Sequence, residues 1–184
     1  MFVSLHDLEV KTVDIAENFA PGKIDFGEDT KQSGDLKVNG RAELIEENHG
    51  GKNMVRDIRL VGDFAGKFES ACSRCLDPVT TELKQDFDLL YRPLRAGKQG
   101  EEVSISEAET EIGFYQGEGL DTADAVREQV LLAMPAKPLC RQDCKGLCPS
   151  CGQNLNTSKC SCAEQRQDGR WSALEGIRDQ LKKR

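Results

Sequence analysis

Apolar and small residues recur at every second position in three stretches of the chain. Leu36, Val38, Gly40, Ala42 and Leu44 share one face of the first, Leu36 to Ile45, and Ile58, Leu60, Gly62 and Phe64 share one face of the second, Val55 to Phe68. Successive side chains of a strand point to opposite sides, so this spacing predicts half-buried β-strands. Between them Glu46-Glu47-Asn48-His49-Gly50-Gly51-Lys52-Asn53 supplies turn chemistry, and the pair reads as a long hairpin with His49 as a turn residue. A third strand is predicted over Val79 to Leu90, on Thr80-Thr81, Leu83, Phe87 and Leu89, after a reversal at Cys72-Ser-Arg-Cys75-Leu76-Asp-Pro78. The first 33 residues are mixed, with apolar Val3, Leu5 and Leu8 and a Pro21-Gly22 break before Ile24 and Phe26, and predict one or two short strands and a turn.

Helical spacing enters late. Asp121 or Thr122 can cap a helix carrying Ala125, Val126, Gln129, Val130, Leu132 and Ala133 until Pro135 ends it. Leu174, Ile177, Arg178 and Leu181 predict a second, amphipathic helix from Trp171 to Lys183, with Trp171 anchoring it to the body. Between sheet and helices, Arg92 to Ser104 reads as a linker and Glu101 to Glu118 as a solvated acidic stretch, with a short strand at Ile112-Gly-Phe114-Tyr115. The fold class predicted is α+β: an antiparallel sheet body, as a meander or a partly open barrel, with two helices and a C-terminal cysteine-rich zinc-binding segment.

Charge divides the chain where the cysteines gather. The formal net charge of −7 is the sum of two unlike parts: residues 1–139 carry 16 basic and 27 acidic side chains, and residues 140–184 carry 9 and 5. An acidic, β-rich body over 1–139, with its helix near 121–134, is therefore expected to precede a basic cysteine-rich module with its helix over 140–184. Bulk charge excludes a protein that coats nucleic acid, because phosphate binding draws its affinity from clustered Lys and Arg. A local basic face is left open, and Arg141, Lys145, Lys159, Arg166, Arg170, Lys182, Lys183 and Arg184 are its candidates.

The first residues lack the basic start of a secretory signal, and the longest apolar run, Val130 to Met134, falls far short of the roughly 18 residues of a membrane span. A cytoplasmic protein with no membrane partner is expected. In a reducing compartment clustered thiols are metal ligands or redox centres before they are disulfides.

Eight cysteines stand at 72, 75, 140, 144, 148, 151, 160 and 162. Cys148-Pro-Ser-Cys151-Gly152 is a zinc knuckle: two thiols two residues apart, then a glycine that lets backbone N–H groups turn toward the sulfurs. Tetrahedral zinc needs four ligands, and Cys160 and Cys162 are the nearest supply across a spacer rich in turn formers. Cys72, Cys75, Cys140 and Cys144 remain as a second set of four. The loop between its halves is long, but closure entropy grows only logarithmically with length. The rival partition joins Cys140 and Cys144 to Cys148 and Cys151. Either gives one or two closed, structural Zn2+ sites, since His6 and His49 lie near no cysteine and no ligand position is left open. No HExxH, phosphate loop or nucleophile elbow occurs, so neither an enzyme nor a small-molecule substrate is expected.

At Cys72-Ser-Arg-Cys75-Leu76, at Leu132-Ala-Met-Pro135, and above all at Leu139-Cys140…Cys144-Lys-Gly-Leu-Cys148-Pro-Ser-Cys151-Gly-Gln-Asn-Leu155-Asn156…Cys160-Ser-Cys162, the sequence resembles the YceD family. That family is the large ribosomal RNA subunit accumulation protein, also called domain of unknown function 177. The resemblance spans about residues 5–182, with Asp168-Gly-Arg170 where the family commonly has Asp-Pro-Arg. It implies a non-enzymatic ribosome-biogenesis factor for accumulation or processing of large-subunit (23S) ribosomal RNA. The expected partner is the large-subunit precursor, met as ribosomal RNA or ribosomal protein. The other reading, carried by the crowded thiols alone, is a redox-sensitive zinc thiol switch or chaperone.

Overall fold

The period-two positions form the strands expected of them. The structure, a computed structural model, describes residues 1–48, 54–94 and 112–162. Its elements in chain order are β1 (Phe2–Ser4), α1 (Leu5–Val10), β2 (Val13–Phe19), β3 (Thr30–Gln32), β4 (Leu36–Asn48), β5 (Met54–Ala71), β6 (Pro78–Pro93), β7 (Ile112–Tyr115), β8 (Gly119–Asp121) and α2 (Thr122–Ala133). Strands β4, β5 and β6 form an antiparallel meander inside a sheet ordered β2-β4-β5-β6-β7, while β1 and β8 pair separately.

The 18 residues of β5 exceed the length of one neighbour. Its first part pairs with β4, from Asn48 opposite Met54 to Lys37 opposite Ala65, and its last part with β3, from Gln32 opposite Phe68 to Thr30 opposite Ser70. On the other side β6 follows β5 to the end, Ala71 opposite Pro78. The hairpin thus delivers Cys72 and Cys75 to the tip of the longest ladder among the described residues.

One face of the sheet is the core. Leu36, Val38, Ile58, Leu60, Phe64 and Phe68 are fully buried there, joined by Val126 and Val130 of α2 and by Leu8 of α1. At about 25 cal/mol per Å2 of apolar surface removed from water, each such side chain contributes on the order of 2 kcal/mol. Helix α2 begins where expected: the Asp121 carboxylate accepts the amide of Ala123 at 3.0 Å, and the helix ends before Pro135.

The opening stretch holds more than one or two strands and a turn. It carries β1, β2, β3 and the six-residue α1, capped by Ser4, whose hydroxyl accepts the Asp7 amide at 3.1 Å and donates to the Asp7 carboxylate at 2.6 Å. Strand β7 forms at Ile112–Tyr115, and it lies parallel to β6 rather than antiparallel. Asp57, on the polar side of the β5 alternation, is fully buried, and the Arg92 guanidinium donates to it from Nε at 3.1 and 3.2 Å and from Nη2 at 2.7 Å. His49, most of the 92–104 linker, the greater part of the acidic stretch and the helix expected at 171–183 lie outside the described residues.

Candidate metal centres

A strand pair ending in Cys72-Ser-Arg-Cys75 turns back on itself tightly: the Leu76 amide donates to the Cys72 carbonyl at 3.0 Å and the Cys72 amide to the Asp77 carbonyl at 2.8 Å. The turn requires Leu76 to take a left-handed backbone, with φ of +63°. The tail reaches this turn from 138 onward. The Ser73 amide donates to the Pro138 carbonyl at 2.8 Å and the Leu147 amide to the Arg74 carbonyl at 3.0 Å. Gly146 sits where a Cβ would meet Arg74 O at 2.9 Å, and its φ is +75°, so no other residue lets the tail approach so closely.

This docking brings Cys72, Cys75, Cys140 and Cys144 together, and Cys148, Cys151, Cys160 and Cys162 form a second group. Within each, the four sulfurs lie within 4.8 Å of one another. The near pairs are Cys72–Cys144 at 3.9 Å, Cys75–Cys140 at 3.5 Å and Cys148–Cys160 at 3.4 Å. A disulfide needs about 2.05 Å. A tetrahedral ion bonded to sulfur at about 2.3 Å sets its sulfurs about 3.8 Å apart, and the observed spacings bracket that value. Each group could hold one metal ion, with no ligand position left over. The geometry joins the sets as 72/75/140/144 and 148/151/160/162, and the rival partition is not formed.

Backbone amides and burial divide the thiols within each group. Amides of Arg74 and Cys140 lower Cys72 to about 6, and amides of Ser150 and Cys151 lower Cys148 to about 6. The Asn156 side chain likewise lowers Cys144. Cys75 moves the other way: its Asp77 amide bond lowers it, but burial and the Asp77 carboxylate prevail. Cys162 is pushed up to about 12 by its neighbours Cys151 and Cys148. The first thiol of each knuckle is thus the one biased toward its thiolate, and metal binding would release the protons that the groups still hold.

The two groups share a wall. The spacer Gln153–Lys159 folds back as a turn, with Leu147 bridged to Asn154 and the Leu155 amide donating to Gly146 O at 2.9 Å. It sends two side chains into the first group. Asn156 Nδ2 donates to Cys144 Sγ at 3.3 Å while its Oδ1 accepts the Lys145 amide and Arg141 Nη2, each at 2.8 Å. Asn154 Nδ2 donates to Asp77 Oδ2 at 3.2 Å, and that same oxygen is 3.2 Å from Cys75 Sγ.

Of the basic residues expected to make contacts, Arg141, Lys145 and Lys159 are exposed around the groups, and Arg141 is engaged by Asn156 and by Asp143 at 3.5 Å. Arg166, Arg170, Lys182, Lys183 and Arg184 lie outside the described residues, as does Trp171. Sequence reasoning missed Arg74, which donates to Cys144 O at 2.8 Å, and also Asp77, Asn154 and Asn156. The Asn-x-Asn pattern in the spacer is the one signal that could have raised the last two, since Asn caps turns and donates to thiolates.

The family model described as large ribosomal RNA subunit accumulation protein YceD matches residues 60–178, which include all eight cysteines and both knuckles. The chain belongs to the YceD family. Among individual relatives, an uncharacterized protein of Mycobacterium tuberculosis is 30% identical over 124 residues, 67% of this chain and 56% of its own length. The chain therefore spans little more than half of that relative. Two plant proteins called large ribosomal RNA subunit accumulation protein YCED homolog 1, chloroplastic, also match. That of Arabidopsis thaliana is 32% identical over 65 residues, 35% of this chain and 20% of its own length. That of Zea mays is 37% identical over 59 residues, 32% and 20% of the two chains. No solved structure matches. The YceD match begins within β5, later than the resemblance at residue 5, so β1 to β4 lie outside it. Among the described residues, no helix is long and apolar enough to cross a membrane.

Proposed function

We propose that this YceD-family chain is a non-enzymatic, cytoplasmic ribosome-biogenesis factor that supports accumulation or processing of large-subunit (23S) ribosomal RNA. Its two four-cysteine groups hold structural zinc. The observation that carries the reading is the family match across both knuckles, taken with sulfur spacings that suit closed tetrahedral sites. Four thiolates favour zinc or iron among biological metals, and a site with no open position supports a fold rather than a reaction. The module 140–184 then acts as the basic part of a chain whose body, 1–139, is acidic. Arg141, Lys145, Lys159, Arg166, Arg170, Lys182, Lys183 and Arg184 are its contact residues for the large-subunit precursor, through ribosomal RNA or a ribosomal protein.

Two measurements test this. Elemental analysis of the purified chain is expected to give two zinc ions and no iron. On a sucrose gradient the protein is expected to migrate with large-subunit precursors, and a deletion strain to accumulate less mature 23S RNA. Absence of co-migration together with normal 23S RNA would overturn the function. Zinc release by peroxide with a gain in client binding would instead favour the redox-switch reading.

A further inference from the structure

On the side of the body away from the sulfurs, β1, β7, β8 and α2 enclose a cleft of about 360 Å3. Its apolar walls are aromatic. Phe2 and Phe114 are 58% and 52% exposed, unusual for such side chains, and Tyr91 forms the floor. Two glycines set the rings. A Cβ at Gly113 would stand 2.6 Å from two carbons of the Tyr91 ring, and one at Gly119 would stand 2.9 Å from Phe2 Cζ. Each ring therefore takes space beside the neighbouring strand that a side chain there would fill.

The rim is acidic. Asp124 and Glu128, one turn apart on α2, line the cleft, are exposed, and form no ion pair among the described residues. The cation between them in sequence, Arg127, is directed elsewhere and donates to the Asp25 carbonyl. No described Lys or Arg lines the cleft. Tyr91 is 6% exposed, and its hydroxyl makes no hydrogen bond among the described residues. Burial, then Glu128 and Asp124, push its ionisation up to about 12, so it stays a neutral hydroxyl next to two carboxylates.

We infer that this cleft receives a cationic side chain, an arginine or lysine presented by a basic protein segment. The cation lies over the faces of Phe2 and Phe114, the Tyr91 hydroxyl accepts from it, and Asp124 and Glu128 supply the counter-charge. Aromatic faces attract cations through their quadrupole, and more strongly as water is excluded. A phosphate backbone would meet two unpaired carboxylates here, so the cleft favours a protein over an RNA. The inference deepens the proposed function and rests on it only for the origin of that segment, a basic protein of the large-subunit precursor; the cation site itself stands on the cleft.

The test follows the aromatic 1H–13C signals of the full-length, metal-loaded chain during titration with acetylated, amidated tetra-arginine and, separately, tetra-glutamine. Tetra-arginine is expected to shift Phe2, Tyr91 and Phe114 in a saturable way, and tetra-glutamine to leave them still. The double variant Asp124→Asn/Glu128→Gln is expected to bind at least tenfold more weakly at an unchanged melting temperature. A control pair of exposed carboxylates outside the cleft, Glu28→Gln just before β3 and Glu69→Gln on β5 opposite it, should change binding less than threefold. Equal losses in both variants, shifts scattered over other rings, or saturable shifts of these rings by oligo-uridylate added without peptide would overturn the inference. Peptide binding without co-sedimentation would sink the ribosomal reading and leave the cation site standing, whereas co-sedimentation with no peptide shift would do the reverse.

Discussion

Cys72-Ser-Arg-Cys75 and Cys148-Pro-Ser-Cys151 are the same turn built twice. In each, the amide after the second cysteine donates to the carbonyl of the first, at 3.0 Å from Leu76 and 2.8 Å from Gly152, and in each that residue has a positive φ, 63° and 74°. What closes them differs. The first turn hangs from the longest strand pair and takes its other two sulfurs from Cys140 and Cys144, 65 and 72 positions from Cys75 and Cys72. Three of its four cysteines are buried, and Val79, Leu139 and Leu147 pack around them. The second group closes within Cys148 to Cys162, and only Cys148 is buried. One ion at the first group would tie the body to the tail, and one at the second would fold a loop.

The largest effect that tests this contrast is on global stability. Because metal affinity at a site absent from the unfolded chain is folding free energy, Cys72→Ser is expected to remove one metal equivalent and lower the Tm of the sheet by ~10 °C or more. Cys148→Ser should remove one equivalent and leave the sheet transition within ~3 °C. Calorimetry with elemental analysis reads both, and equal Tm losses would erase the distinction.

Chelation sharpens it in time. The exposed second group should yield its metal to a strong chelator first, and the buried first group at least tenfold more slowly, giving two phases in the release trace. A single phase carrying both equivalents would mean that the groups empty as one.

A smaller effect tests the shared wall. Asn156 belongs to the second group's spacer but donates to Cys144 of the first. Partners of metal ligands typically contribute 10- to 100-fold in affinity. Asn156→Ala should therefore weaken metal binding at the first group by about that factor in competition with a chromophoric chelator. Weakening confined to the second group would refute the link.

The smallest effect separates the two turns themselves. Leu76 occupies a conformation that costs a non-glycine residue about 1–2 kcal/mol, partly offset by the freedom glycine gains in the unfolded chain. Leu76→Gly should raise stability by up to ~1 kcal/mol in denaturant melts, while Gly152→Ala should lower metal retention at the second group. Loss of stability in Leu76→Gly would show that the exposed leucine has a packing role its surroundings do not reveal.

The strands and the cysteine partition were legible because both rest on spacing. A sheet with one wet face writes its period into Leu36–Ile45 and Val55–Phe68, and the four thiols of Cys148 to Cys162 lie close enough in sequence to close on one another, which leaves the other four as a set. The parallel β6–β7 pairing was not legible, since no periodicity names a partner. The burial of Asp57 was not legible for the same reason: it stands off the apolar face of the alternation, and its partner Arg92 is 35 positions away. Helix α1 left a signal that went unread, the Ser4-x-x-Asp7 cap, because one buried leucine in six residues gives no helical stripe. Asn156 escaped because a residue that supports a site carries none of the site's own chemistry.

The long separation within the first group also has a consequence for synthesis. When Cys72 and Cys75 leave the ribosome, the chain that completes their group is not yet made. At roughly 5–20 residues per second, the 68 positions to Cys140 take several seconds or more. For that interval the hairpin tip presents two thiols without the rest of their group to whatever metal or oxidant it meets. The second group, closed within its own short stretch, is exposed half-made for a far shorter time.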